Sequence, residues 1–160
     1  MSIQIGEKMP FGLFRIMRNA ESDTVSTDEL FGGKKVVLFS VPGAFTPTCS
    51  INHLPGFIDL ANDILGKGVG TIACMAVNDV FVMDAWGKAR GVEDKVSMLS
   101  DGNGEYTKAL GLEMDASGFG MGIRGQRFAI IVDDGIATHV AVEEAGKFEL
   151  SSAESILANL

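Results

Sequence analysis

The residue whose setting most favours chemistry is Cys49, which closes the run Val41-Pro42-Gly43-Ala44-Phe45-Thr46-Pro47-Thr48-Cys49. Ahead of it, Val36-Val37-Leu38-Phe39 is short, apolar and β-branched enough to predict a buried strand. Behind it, Phe57, Leu60, Ala61, Ile64 and Leu65 are spaced to share one helix face. The loop therefore leaves a strand end and opens a helix. Thr46 suits the N-cap and Pro47 the first helical position, where a missing N–H costs nothing. Cys49 then falls at the third helical position, among backbone N–H groups without intrahelical partners and at the positive end of the helix dipole. A thiol so placed tends towards the thiolate, the nucleophilic form.

The gain from ionisation can be bounded. A free thiol is only about 3% thiolate at neutral pH, and roughly 90% if its pKa is brought to about 6. That gain of about thirtyfold is small beside enzymatic rate enhancements, and a more acidic thiol is also a weaker nucleophile. A working site must stabilise a transition state as well.

Other constellations near Cys49 are weaker. His53 lies four residues on, on the same helix face, which suggests either a cysteine–histidine hydrolase pair or a metal site with Cys49 and Cys74. The first has no orienting residue assigned by sequence and the second no evident fourth ligand, so a helix-packing or hydrogen-bonding histidine is the better expectation. Cys74 falls within Thr71-Ile72-Ala73-Cys74-Met75-Ala76-Val77, mid-strand, and is expected to behave as a small buried hydrophobe. Arg124, in a glycine-rich stretch, is read from spacing alone equally well as a surface ion-pairing residue or as part of a site. Phe45, Phe81 and Phe119 either line an apolar rim or serve as core or dimer contacts.

The chain that must position these residues has 160 residues, 46% of them hydrophobic and 21% charged, which fits one globular domain spanning residues 1–160. A net charge of −8 repels phosphate backbones, so nucleic acid is excluded as an expected partner. No apolar run approaches the roughly 20 residues that span a bilayer, and the N-terminus lacks the flank of a secretory signal. A cytoplasmic address with no membrane partner is expected. Two cysteines are too few for a disulfide scaffold and fit a reducing compartment.

In chain order, residues 3–17 predict an edge hairpin or short strands. Ser26 with Glu29 suggests a capping box for a one-turn helix ending at Gly32-Gly33. Strand Lys35–Ser40 and the Cys49 loop follow, and Pro55 should bend the next helix near Asn52–Leu54. Thr71–Val77 predicts a second strand. Asn78 or Asp79 caps a helix carrying Phe81, Val82, Ala85, Trp86 and Ala89. Val96–Leu99 predicts a third parallel strand, and Glu105–Leu110 a short helix. The stretch 115–125 reads as an irregular loop. Arg127–Val132 and Ile136–Val142 flank the hairpin signal Asp133-Asp134-Gly135, and Ser151 with Glu154 caps a last helix. The expected architecture is α/β: a mixed central sheet with helices on both faces, closed by a C-terminal β-hairpin and helix.

At these residues the chain resembles the peroxiredoxins, thioredoxin-fold peroxidases, and within them the type-five or type-two subgroup. Pro42-x-x-x-Thr46-x-x-Cys49 matches the family's active-site signature. His53-Leu54-Pro55-Gly56-Phe57, Val77-Asn78-Asp79 before Trp86-Gly87, Arg124-x-x-Arg127-Phe128 and Val142-Glu143-Glu144 resemble the subgroup's own motifs. The resemblance implies a thioredoxin-like fold and an antioxidant thiol peroxidase without metal or prosthetic group. It acts on hydrogen peroxide and organic hydroperoxides, draws electrons from glutathione with glutaredoxin or from thioredoxin, and forms a homodimer through contacts near the active-site loops.

The resemblance makes Cys49 the peroxidatic cysteine, oxidised to a sulfenic acid, with Thr46 and Arg124 in its pocket and Pro42 shielding it. Sulfur attack on a peroxide builds negative charge on the leaving oxygen, and the Arg124 guanidinium, the Thr46 hydroxyl and the Cys49 backbone N–H are the expected donors. Arg127 is expected to support Arg124 or the sheet edge. The animal members' resolving cysteine near the C-terminus is absent, and plant-like members carry a cysteine where Cys74 lies. Resolution therefore runs either by direct attack of an external thiol or through a Cys49–Cys74 disulfide, which would require the Cys49 turn to unwind. The competing expectation is a peroxide sensor or redox relay that passes oxidation to a partner protein.

Overall fold

The computed structural model describes residues 1–160. Its centre is a seven-stranded sheet in the order β2-β1-β5-β4-β3-β8-β9. The strands are β1 (Leu13–Arg18), β2 (Glu21–Ser26), β3 (Lys35–Ser40), β4 (Val69–Ala76), β5 (Ser97–Ser100), β8 (Phe128–Asp133) and β9 (Ile136–Val142). β3, β4 and β5 run parallel, and the flanking hairpins β1–β2 and β8–β9 pair antiparallel to them. The expected mixed sheet, with its C-terminal hairpin and helix, is what forms.

β3 explains the layering. Its side chains alternate, so Val37 and Phe39 enter one buried cluster while Val36 and Leu38 enter the other, and all four are fully buried. On the Val37 side pack α2 (Leu54–Asp59), α3 (Ala61–Leu65), α4 (Val80–Arg90) and α6 (Ala153–Ala158), through Phe57, Ile64, Trp86 and Ile156. On the other side lie α1 (Thr27–Phe31) and α5 (Glu105–Ala109), through Leu30, Phe31 and Tyr106. Cys49 and Cys74 both belong to the Val37 side.

The expected local signals at two helix starts are present. Ser26 accepts from the Glu29 N–H at the start of α1, and Asp79 accepts from the Val82 N–H at the start of α4. Three expectations are corrected. The N-terminal hairpin spans 13–26 rather than 3–17, because Asn19 (φ 52°) and Ala20 (φ 64°) take the left-handed turn without a glycine to mark it. The stretch 115–125 is not wholly irregular: β6 (Glu113–Asp115) and β7 (Ile123–Gly125) pair across it, enclosing a single 3₁₀ turn at Ser117–Phe119. The cap of α6 is Ser152, which accepts from the Ser155 N–H, while Ser151 is buried and held by Glu143.

Candidate active site

The loop 41–46 leaves β3 and is pinned from four sides. The Val41 N–H donates to the Met75 carbonyl at 3.2 Å and the Ala44 N–H to Asn78 Oδ1 at 2.9 Å. Thr46 Oγ1 donates to the Gly43 carbonyl at 2.7 Å, and Arg124 Nη1 to the Pro42 carbonyl at 3.3 Å. Phe45 holds φ at 65°, a left-handed backbone that a bulky side chain adopts at a cost, so the turn is under strain. Gly43 is needed for close approach: a Cβ there would lie 3.1 Å from Arg124 Nη1 and from Met121 Cε.

The helix begins at Pro47, so Cys49 is its third residue as expected, but Thr46 does not cap it with its side chain, because its hydroxyl is turned back to donate to the Gly43 carbonyl. From Cys49 to His53 the helix widens into a π turn, and the Leu54 N–H reaches back to the Cys49 carbonyl. Pro55 supplies the cause, since it has no N–H to carry the regular ladder through this point. The expected bend at Asn52–Leu54 thus takes the form of a π turn that starts on the cysteine itself. Ser50 anchors the same turn, its Oγ accepting from Trp86 Nε1 at 3.0 Å and Arg90 Nε at 2.9 Å.

The guanidinium at the sulfur belongs to Arg127. Its Nη2 donates to Cys49 Sγ at 3.0 Å. Arg124 is spent elsewhere, with Nε on the Met121 carbonyl at 2.9 Å and Nη1 on Pro42. It ties the β6–β7 hairpin to the Cys49 loop. The expectation that Arg127 only supports Arg124 or the sheet edge is therefore corrected, and the reason is side-chain parity. Ala129 and Ile131 of β8 face the Cys49 cluster, and Arg127 continues that alternation. Because Ser40 pairs with Phe128, Arg127 also enters β8 beside the point where β3 gives way to the loop.

Arg127 forms none of the chain's four carboxylate ion pairs. Its Nη1 instead donates to His53 Nδ1 at 2.7 Å, and its guanidinium carbon sits 5.7 Å from the centre of the Phe148 ring. The positive charge is thus left facing the sulfur. His53 is fully buried, and burial followed by the Arg127 charge brings its pKa down to about 3, so the ring is neutral. Its Nε2 meets the Ser151 carbonyl at 2.9 Å. Cys74 lies in the middle of β4, paired with Phe39 and Met98, and burial pushes its thiol well up, away from the reactive form.

A cavity of about 680 Å³ opens over this group, lined by Pro42, Thr46, Phe119, Met121, Arg127 and neighbours. Cys49 is fully buried and does not itself line the cavity, whose walls include its neighbours Thr46 and Arg127. Of the three phenylalanines expected at a rim or as core or dimer contacts, Phe119 lines the cavity, and Phe81 is exposed away from it. Phe45 does not line it either; it is half-exposed outside, its ring 6.4 Å from that of Trp86. Three contributors went unassigned in the sequence: Asn78 as a loop clamp, Arg127 as the sulfur's donor, and the Glu143–Ser151 contact behind His53.

A strand-to-helix cysteine under an arginine, on this sheet, is the arrangement of a thiol peroxidase. The redoxin family model matches residues 4–157. Peroxiredoxin-2B of Arabidopsis thaliana is 48% identical over 156 residues, covering 97% of this chain and 96% of that one. Peroxiredoxin-2E, a chloroplastic protein of the same plant, is 48% identical over 160 residues, covering 98% and 68%. The crystal structure of reduced Prx3 from Vibrio vulnificus in complex with hydrogen peroxide superposes with a TM-score of 0.94 at 51% identity, covering 98% of each chain. The chain belongs to the redoxin family and, within it, to the peroxiredoxins, thiol peroxidases of the thioredoxin fold.

Proposed function

We propose that Cys49 reduces hydrogen peroxide and organic hydroperoxides, with Arg127 rather than Arg124 as the donor to sulfur and leaving oxygen. The observation that carries this is the 3.0 Å contact between Arg127 Nη2 and Cys49 Sγ, with no carboxylate paired to the guanidinium. The thiolate attacks the terminal oxygen of the peroxide, an S–O bond forms as the O–O bond breaks, and the departing alkoxide or hydroxide takes a proton. Cys49 is left as a sulfenic acid. Arg127 stabilises the charge that develops on the leaving oxygen. Thr46 spends its hydroxyl proton on Gly43, so its lone pairs are free to accept the peroxide O–H and orient it. Pro42 covers the sulfur, and Arg124 holds the Pro42–Gly43 turn in place. Phe119, with Met121, offers an apolar wall to an alkyl group. No metal or prosthetic group enters this scheme. The hydrogen peroxide complex of the Vibrio vulnificus protein supports the choice of substrate.

For the return step we propose direct attack by an external thiol, from glutathione with glutaredoxin first and thioredoxin second. Attack releases water and leaves a mixed disulfide on Cys49, which a second thiol resolves. The burial and raised pKa of Cys74 support its part as a core residue rather than a resolving one. We further propose a homodimer, supported by the exposed apolar side chains of Phe45, Phe81 and Phe119 around the active-site loops. Residues 1–160 are taken as one domain, and the cytoplasm as its address. No helix is long and apolar enough to cross a membrane.

The test is peroxide consumption by the purified protein with glutathione and glutaredoxin. Turnover that vanishes in Cys49→Ser and persists in Cys74→Ser is expected. Loss of turnover in Cys74→Ser would refute the direct route, and a stable mixed disulfide with one protein in place of turnover would point to a relay. Equilibrium sedimentation at micromolar concentration tests the dimer, and cell fractionation tests the address.

A further inference from the structure

We propose that His53 is a positioning residue: its unprotonated Nδ1 holds Arg127 aimed at Cys49, and Glu143, acting through Ser151, fixes the tautomer that makes this possible. The inference rests on Arg127 serving the peroxide step.

The polarity of the contacts decides the tautomer from both ends. A guanidinium can only donate, so His53 Nδ1, 2.7 Å from Arg127 Nη1, must accept. A backbone carbonyl can only accept, so His53 Nε2, 2.9 Å from the Ser151 oxygen, must donate. Only a neutral ring with its proton on Nε2 satisfies both. The same requirement excludes His53 as a base at the sulfur, because its lone pair is already committed to Arg127.

Behind the ring, Ser151 is held by a single carboxylate oxygen. Glu143 Oε2 accepts from the Ser151 N–H at 2.9 Å, the Ser151 hydroxyl at 2.8 Å and the Glu149 N–H at 2.7 Å. The carboxylate therefore closes the segment 143–151 into a clasp that presents the Ser151 carbonyl to His53. Phe148 of the clasp covers both His53, ring centres 5.0 Å apart, and Arg127. Phe39 and Phe57 close the remaining sides of the imidazole, at 4.9 Å and 5.6 Å. The charged groups facing the ring are thus Arg127 and, at longer range, Glu143.

The placement has an electrostatic consequence. A carboxylate in the position of His53 would fix Arg127 equally well but cancel its charge. A neutral acceptor fixes the direction of the guanidinium and leaves its charge for the sulfur and the leaving oxygen. Placement at this accuracy matters, since displacement of a donor by about 1 Å can cost a hundredfold in rate. Glu143 lines the cavity, but its Oε2 is committed to Ser151 and Glu149 and forms no ion pair with Arg127, so its carboxylate organises the clasp without pairing the guanidinium.

The test is the rate of Cys49 oxidation by hydrogen peroxide, followed by Trp86 fluorescence in stopped flow, in H53L, H53Q, H53N and R127Q. H53L and H53Q offer no acceptor where Nδ1 stood, and both are expected to slow oxidation about tenfold or more. H53N can present its amide oxygen there and is expected to restore the rate to within about threefold of the unaltered protein. A residue with only a structural part would give no such order among variants of equal fold. Alongside, ¹⁵N NMR of the unaltered protein is expected to show Nε2 protonated and Nδ1 bare, without change from about pH 5 to 8. H53L or H53Q as fast as the unaltered protein, or a ring protonated on Nδ1, overturns the proposal; the NMR result decides if the variants fail to fold. R127Q separates the two readings. Slow R127Q with fast H53L removes only the relay through His53, whereas fast R127Q removes the part of Arg127 itself.

Discussion

Arg127 Nη2 lies 3.0 Å from Cys49 Sγ, although 78 residues separate them in the chain. One contact is delivered by two independent devices. The π turn at Cys49–His53 sets the sulfur, and the entry of β8 sets the guanidinium. Each can be perturbed separately, which makes the account testable piece by piece.

Thr46 should matter for its hydroxyl alone. Thr46→Val keeps the side-chain volume but leaves neither the bond to Gly43 nor an acceptor for the peroxide proton. Peroxide reduction is expected to fall about ten- to a hundredfold, with Thr46→Ser recovering most of it. Single-turnover rates for the two variants check this.

Asn78 should act through the loop. Asn78→Ala leaves the half-buried Ala44 N–H without its partner, at a cost of about 1–2 kcal/mol in stability. Urea unfolding measures that loss, and a fall of several-fold in oxidation rate at saturating stability is the accompanying outcome.

Cys74 should stay silent in the folded protein. Its thiol is buried and pushed up towards the protonated form. Iodoacetamide at neutral pH is expected to label Cys49 alone, and both cysteines only after unfolding. After one equivalent of peroxide, peptide mapping should find sulfenic Cys49 without a bond to Cys74.

His53 makes stability depend on pH. Its folded-state pKa of about 3 lies below the ordinary value of 6.5, so the unfolded chain binds the proton more readily. Its contribution is fully present above 6.5 and is lost as pH falls towards 3. Between about pH 7 and 4.5 the loss is on the order of 2–3 kcal/mol. Glu143 adds to it at still lower pH: burial raises its carboxyl, but the bonds from Ser151, Leu150 and Glu149 outweigh this and hold it below the usual range. Chemical unfolding of H53N across the same window should show a correspondingly flatter profile.

Much of this was legible from local pattern. The strand Lys35–Ser40 and the placement of Cys49 in the first turn of a helix follow from period and capping, and both are found as expected. Pro55 announced a disturbed helix, though not that the disturbance would be a π turn beginning on the cysteine. What could not be read was anything set by long-range register. The choice between Arg124 and Arg127 turns on which face of β8 meets the Cys49 helix, and a strand buried on both faces carries no polar side to mark it. Once Ala129 and Ile131 are known to face that way, Arg127 follows by counting two residues back. Ser151 shows a related limit: the pattern Ser-Ser allowed either hydroxyl to cap, and the demand of buried Glu143 for donors claimed the first.

The most direct measurement is stopped-flow reduction of hydrogen peroxide by Arg127→Gln and Arg124→Gln side by side. Removal of the donor at the sulfur is expected to slow Cys49 oxidation by about a hundred- to a thousandfold in the Arg127 variant. Loss of the loop tie in the Arg124 variant should cost about tenfold or less. An Arg127 variant as fast as the unaltered protein, or an Arg124 variant that is the slower of the two, would contradict the account.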